Sequence, residues 1–355
     1  MNIIEEIDVF QLTDGLPHVI VRVRDDSGET GFGECWWGIP TPSEPHRGGA
    51  PIVSAVENLI KPNYLGKDSK QIQALWHQTW DHLYRYGDGG IVTMALSGVD
   101  MALWDLNARR LDASVLELLG GSAHQSIPAY ASFPPLRSKE RVASETRRAI
   151  EHGYKAIKLH ELETSLVEAA REAGGDDLLI MVDVNGHFDI EEAIEFGRAI
   201  EKYKITWYEE PVRPMRNIEL IKKVSDQLPI AIAAGENEYS LGDFERMIES
   251  NAVRFLQPEI TKIGGITQAL KIGHLAEQSG VPLCPHNFRG GIPLYASLHW
   301  GFSNPMTKWL ELPWLPEGIE FASRIPNPKI IDGCVSPPLG PGLGVRPDLN
   351  RPGAS

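Results

Sequence analysis

The amino-acid sequence predicts an α/β protein: a (β/α)8-type barrel preceded by an N-terminal α+β capping domain, a β-meander plus helices, and completed by the C-terminal tail. Three observations predict it. Residues 2 to 35 alternate apolar and polar positions in three short runs broken by turn signals. From about 126 onward, eight short apolar runs alternate with amphipathic helical stretches. Seven of those runs end in an ionisable residue, at steps of 23 to 27 residues, one strand plus one helix each. The expected units are 1–125 for the capping domain, 126–318 for the barrel and 319–355 for a segment packing back onto the cap.

The meander is carried by IIEEIDVFQL, HVIVRVRD and TGFGECWW, with TDGLP and DSGE as the turns between them. From about 50 to 119 the apolar spacing becomes helical, in IVSAVENLI, IQALWHQTWDHLYRY and TMALSGVDMALWDLNARRL. Trp76, Trp80 and Trp104 fall on the apolar faces of these helices and read as packing. The barrel strands are IPAYA, KAIKL, LLIMVD, ITWYE, IAIAA, RFLQ, VPLC and KWLEL, and their nearly continuous apolar character suits a parallel sheet covered by helices. An open doubly wound sheet is the alternative, but no GxGxxG stands at a strand-to-helix turn. The tail, with IIDGCVSPPLGPGLGV, is rich in Pro and Gly and fits irregular chain.

The 355 residues carry 34 Lys+Arg against 48 Asp+Glu, a formal charge of −14. That sign argues against a nucleic-acid or anionic-membrane partner. A small anionic substrate would instead need a local positive centre. Three cysteines, Cys35, Cys284 and Cys334, form no CxxC pair and read as reduced thiols in a cytoplasmic protein. The first ten residues are acidic where a signal peptide needs basic ones, and no apolar run reaches the roughly 18 residues of a membrane span.

Barrel chemistry gathers at the carboxyl ends of the strands, so the residue that ends each run matters most. These are Lys158 with His160, then Asp183, Glu209, Glu236, Glu259, His286 and Glu311. A single carboxylate at a strand end is an ordinary helix cap or solvated loop residue. Three on consecutive strands, Asp183, Glu209 and Glu236, would repel one another unless a hard divalent cation sat among them, and an all-oxygen set favours magnesium over zinc. Lys158 and His160, two apart on one strand, point to the same side, and His160 reads as a catalytic or a structural histidine. Glu259, one strand before His286, is placed to orient its imidazole. Glu311, between Trp309 and Trp314, is either a carboxylic acid kept neutral by apolar surroundings or the cap of a helix. Asn185, His187 and Asn237 follow the carboxylates closely enough to touch metal or substrate, or to serve as turn residues. His46 and Arg47 in TPSEPHRGGA read as a lid over the mouth or as a solvated loop.

These residues carry a resemblance to the enolase superfamily, and within it to the mandelate racemase-like subgroup with its acid sugar dehydratases. It runs over nearly the whole chain and is sharpest in GYKAIKLH, DVNG, WYEEPV, AAGENEY, QPEITKIGG, CPHNF and WLELP. The resemblance implies that Asp183, Glu209 and Glu236 ligate Mg2+, with Glu209 rather than Glu210 taking the role of the first glutamate of the pair. It also implies that Lys158, His160, Glu259, His286 and Glu311 are catalytic and that the protein is a homo-oligomer. Two positions depart from the pattern: Lys158-x-His160 stands where the family has Lys-x-Lys, and Glu259 where it has an aspartate. TDGLP is also shorter than the usual first hairpin.

The chemistry expected of such a site is removal of the proton next to a carboxylate, through an enediolate whose charge the metal neutralises. Dehydration of a sugar acid to a 2-keto-3-deoxy acid is the favoured outcome. Racemisation, epimerisation or lactone cycloisomerisation is the alternative, and a non-catalytic metal-binding barrel the remote one.

Overall fold

The structure is a computed structural model that describes residues 1–12, 17–37, 49–315 and 324–350. The early alternation forms a three-stranded antiparallel sheet of β1 (Ile4–Leu12), β2 (His18–Asp25) and β3 (Thr30–Cys35), in that order. One face of the sheet is covered by the helix Ile91–Arg110, which buries most of its length. Gly31 and Gly33 permit this closeness. A Cβ on Gly33 would stand 1.9 Å from the Gly98 carbonyl oxygen, and one on Gly31 2.1 Å from that of Ala102. The stretch IVSAVENLI is less regular than its spacing predicts: an α-turn, Ala50–Ala55, passes through a π-turn, Val56–Ile60, into Lys61–Tyr64. Pro62 has no N–H for an i−4 carbonyl, so the ladder is interrupted there.

The second sheet is parallel and built from β4 (Ile127–Ser132), β5 (Ala156–Leu159), β6 (Leu179–Asp183), β7 (Ile205–Glu209), β8 (Ile232–Ala234), β9 (Phe255–Leu256) and β10 (Leu310–Pro313). β10 pairs with β4, so the two ends of the series approach each other. The seventh apolar run, VPLC, forms no continuous ladder. Single parallel bridges, Leu256 with Leu283 and Leu283 with Thr307, join it to both neighbours and complete the ring. Alternation along the strands sorts the side chains. Tyr130, Ala156, Met181, Trp207, Ala233 and Cys284 form an apolar layer inside the barrel, while residues such as Ile157, Ile180 and Val182 belong to the larger core shared with the helices. Two residues beyond that inner layer stand Ser132, Lys158, Asp183, Glu209 and His286, so the period of two lifts polar groups onto an apolar floor.

The tail touches both units. β11 (Cys334–Val335) pairs antiparallel with β4, and farther on the Leu343 N–H donates to Asp105 Oδ1 at 2.7 Å. Arg109 reaches the Val345 carbonyl at 2.6 Å, and the Val115 N–H the Gly342 carbonyl at 2.8 Å. Asp105 also accepts from the Phe32 N–H at 2.8 Å, so one carboxylate ties the meander to the tail. Among the described residues no helix is long and apolar enough to cross a membrane.

Asp100, on the long helix, meets the barrel at the start of the helix Ile266–Ser279, accepting from the Thr267 N–H at 2.9 Å and its hydroxyl at 2.5 Å. Burial pushes its carboxyl up to about 7. With an unfolded value near 3.9, the native state binds the extra proton between roughly pH 4 and 7. This contribution to stability is therefore complete at low pH and is lost as pH rises through about 7. Asp100→Asn is expected to remove that slope, so that the melting temperature of the variant gains on wild type from pH 5 to pH 8. Parallel calorimetric curves over that range would count against it.

Candidate active site

The carboxyl ends of the parallel strands converge on one buried polar cluster. Oxygens of Asp183, Glu209 and Glu236 lie within 4.8 Å of one another, and all three residues are buried. Lys158 rises from the floor beneath them. Its Nζ lies 2.7 Å from Glu209 Oε1, 2.9 Å from Glu311 Oε1 and 3.5 Å from Asp183 Oδ2. Burial opposes the ammonium charge, but Glu209 and Glu311 outweigh it and hold Lys158 well above its ordinary range.

Two histidines flank the cluster. His160 Nε2 is 3.1 Å from Asp183 Oδ2, and its Nδ1 is 2.5 Å from the Phe133 carbonyl oxygen, which fixes the N–H on Nδ1. His286 Nε2 is 2.8 Å from Glu236 Oε2, and its Nδ1 is 2.7 Å from Glu259 Oε2. Glu259 is held in turn by the Thr261 N–H at 2.9 Å and the Thr261 hydroxyl at 2.7 Å. Burial works against the imidazolium at both positions. Asp183 outweighs it at His160, and Glu236 and Glu311 do so more strongly at His286. The two imidazoles therefore present Nε2 to different members of one trio, His160, just past the end of β5, to Asp183 and His286, at the end of the seventh stave, to Glu236, across the mouth from each other.

Glu311 lies within β10 and caps no helix. Nor is it kept neutral: burial raises its carboxyl, but Lys158 and His286 prevail and bring it down to about 2. The apolar neighbours read from the sequence, Trp309 and Trp314, are not what its carboxylate faces. It faces Lys158 and the Asn287 N–H, at 2.9 Å each.

Asn185 sits at the mouth with φ +43, its N–H and its side-chain amide donating to Asp183 at 2.8 and 3.1 Å. It thus makes the turn that holds Asp183. Asn237 donates to Glu236 Oε1 at 3.1 Å and to Glu210 at 2.8 Å. His187 is exposed and stands edge-on to Phe188. His46, Arg47 and most of the first hairpin turn lie outside the described residues.

Two residues of this neighbourhood escape a reading of strand ends. Glu210, at φ +43, is buried with both oxygens accepting from Asn237, and burial together with Glu236 lifts its carboxyl well above the usual range. Lys262, in TKIGG, is buried with Nζ 2.8 Å from Asn237 Oδ1 and 3.9 Å from the centre of the Trp36 ring. The signal for Lys262 was its place three residues after Glu259, in a segment that reads as a plain turn.

Six carboxyls, Asp183, Glu209, Glu210, Glu236, Glu259 and Glu311, share this region with Lys158, Lys262, His160 and His286. Even with both imidazoles protonated, two negative charges are left over. Burial raises Glu209, and a divalent cation standing among the carboxylates would neutralise the excess.

Comparison with known proteins agrees with this geometry. Residues 12–120 match the mandelate racemase / muconate lactonizing enzyme N-terminal domain, and residues 141–351 match the enolase C-terminal domain-like family. The chain is 31% identical to the D-galactarolactone cycloisomerase of Agrobacterium fabrum, over 95% of this chain and 90% of that protein. It is 29% identical to the arabinonate dehydratase of Saccharolobus solfataricus, over 92% and 87%. The crystal structure of the 3,6-anhydro-D-galactonate cycloisomerase from Zobellia galactanivorans superposes with a TM-score of 0.88 at 29% identity, covering 98% of this chain and 97% of that one. With both family domains present in order and the acidic trio at the barrel mouth, the chain belongs to the mandelate racemase-like branch of the enolase superfamily.

Proposed function

We propose that the protein is a magnesium-dependent lyase that dehydrates a sugar acid to its 2-keto-3-deoxy acid. The observation that carries this reading is the pair of imidazoles, His160 and His286, facing one all-oxygen carboxylate trio from opposite sides.

The trio fits magnesium. Its donors are hard oxygens, its members are buried, and one oxygen from each lies within 4.8 Å of the other two, so the three converge on one place. Asp183, Glu209 and Glu236 would hold the ion, with Asn185 and Asn237 fixing two of the carboxylates. Bound there, magnesium supplies the positive charge that lets a substrate carboxylate take up electrons as its α-proton leaves.

The imidazoles divide the proton work. Glu236 and Glu259 hold a proton on His286 more firmly than Asp183 and a carbonyl hold one on His160, so His286 is the imidazole that starts charged and can donate, and His160 the one more readily left neutral to accept. His160 Nε2 takes the α-proton, the β-carbon to oxygen bond breaks, and His286 gives its proton to the leaving hydroxyl as water. The enol that remains tautomerises to the 2-keto acid. Lys158, bound to three carboxylates, is held as an ammonium and serves as fixed charge beneath the substrate.

The same opposed imidazoles favour a second reading, isomerisation, since exchange of protons on both faces is what an epimerase or cycloisomerase requires. A library of acid sugars incubated with magnesium and assayed for 2-keto products tests the choice. Keto product is expected from at least one aldonate or aldarate. Solvent deuterium at the α-carbon without keto product would replace the dehydratase by the isomerase.

A further inference from the structure

Beyond the strand ends, a buried arginine joins the seventh-stave loop to the meander. Arg289 follows His286 by three residues and is only 6% exposed. Its Nη1 donates to the Pro17 carbonyl, at the entry to β2, and its Nη2 to the Trp37 carbonyl, just past β3. The guanidinium also lies 4.9 Å from the Phe288 ring centre and 5.7 Å from that of Trp36, which themselves pack edge to face at 5.2 Å. A planar fork reaching two carbonyls on separate strands is a task that lysine cannot reproduce.

Beside Arg289 is a cavity of about 10 Å³ lined by Glu34, Cys35, Glu259, Asn287 and the arginine itself, room for a single water. Glu34 Oε2 and both polar atoms of the Asn287 side chain have no hydrogen-bond partner among the described residues. The other oxygen of Glu34 is fixed by His18 Nδ1 at 2.5 Å, and both residues are fully buried. The cavity thus connects a carboxylate of the meander to Glu259, the partner of His286. Burial lowers Arg289 to about 10, with Glu34 and Glu259 both favouring its charge.

We propose that Arg289 is a positioning residue: it clamps the β2–β3 edge of the capping unit onto the seventh-stave loop and thereby sets His286 in place over the bound substrate. The kinetic consequence rests on the dehydratase reading, whereas the clamp itself does not. Without the two carbonyl bonds the edge lifts from the barrel, so the backbone amides around His18 and Trp37 and those of the loop after His286 open to solvent, while the contact of β3 with the helix Ile91–Arg110, which seals the Cys35 thiol against Ala95 inside the cap, stays closed.

The test combines hydrogen exchange with kinetics for Arg289→Met and Arg289→Lys. Exchange read by peptide mass spectrometry is expected to speed up at least tenfold in Arg289→Met in the peptides around His18, Trp37 and the loop after His286, with the helix Ile91–Arg110 exchanging as in wild type, and to be intermediate in Arg289→Lys. On the sugar acid found by the library, kcat of Arg289→Met should fall by about a hundredfold with KM little changed, the order expected from a small displacement of a catalytic group. Unchanged exchange at those peptides in both variants would overturn the clamp. Equal acceleration there and in the helix Ile91–Arg110 would also overturn it, since that reports global loosening. An exchange pattern as expected, in a protein that dehydrates no sugar acid, would keep the clamp and remove the dehydratase.

Discussion

Glu236→Gln is expected to weaken magnesium binding by at least about a hundredfold and to bring turnover close to background. Loss of a partner outside the coordination shell already costs 10- to 100-fold in metal affinity, and a directly ligating carboxylate should cost no less. The substitution keeps the shape of the side chain and an oxygen for His286 Nε2, now 2.8 Å away, so the fold should survive. It also removes one charge from a cluster with too many, which argues against unfolding as the cause of any loss. Two measurements separate the possibilities. Titration calorimetry reads affinity directly, and the rise in melting temperature with added magnesium reads it through linkage. Wild type should melt higher as magnesium is added, and the variant should melt at a nearly constant temperature. Unaltered affinity in Glu236→Gln would remove Glu236 from the metal site and with it the proposed chemistry.

The second large effect concerns the two histidines, whose loss should be equally damaging overall and different in kind. Each contributes a proton transfer of about 10²- to 10⁴-fold, so His160→Asn and His286→Asn should both fall within that range in kcat. His286→Asn keeps His160 Nε2 beside Asp183 and should still exchange the substrate α-proton with deuterated solvent, while forming no keto acid. A substrate with fluoride in place of the β-hydroxyl, which leaves without protonation, should restore product formation. His160→Asn should neither exchange nor eliminate, and fluoride should not rescue it. Rescue in the opposite variant would exchange the two roles. Exchange on one face in each variant would point to the isomerase. These losses are differences between variants and do not partition the rate.

The inner ring was legible because a strand repeats every two residues. Once LLIMVD and ITWYE are read as strands, Asp183 and Glu209 must share a level and a side, and Lys158 with His160 likewise. What the environment does to those groups was less legible. Glu311 sits beside tryptophans in the chain but beside Lys158 in space, so its neighbours in sequence gave the wrong charge state. Asp100 and Asp105, in ALSGVDMALWDLN, fall among apolar residues of a helix, and their partners Thr267 and Leu343 are 167 and 238 residues away. Arg289 and Glu34 were invisible for the same reason, because only the docking of meander on barrel brings them together. VPLC was read correctly as a stave, although single bridges rather than a ladder hold it.

The tail that pairs with β4 and then bonds to Asp105 means that the chain crosses between the two units twice, once on the way out and once on the way back. A body mounted at two points cannot swing like a door on one hinge; it can only rock about the line joining its mounts. The cap should accordingly keep that one rocking motion and lose free rotation about a single tether. Grafting a foreign cap onto this barrel would also leave the returning tail without its socket at Asp105, so shuffling is expected to succeed only when the meander and its covering helix travel together with the tail.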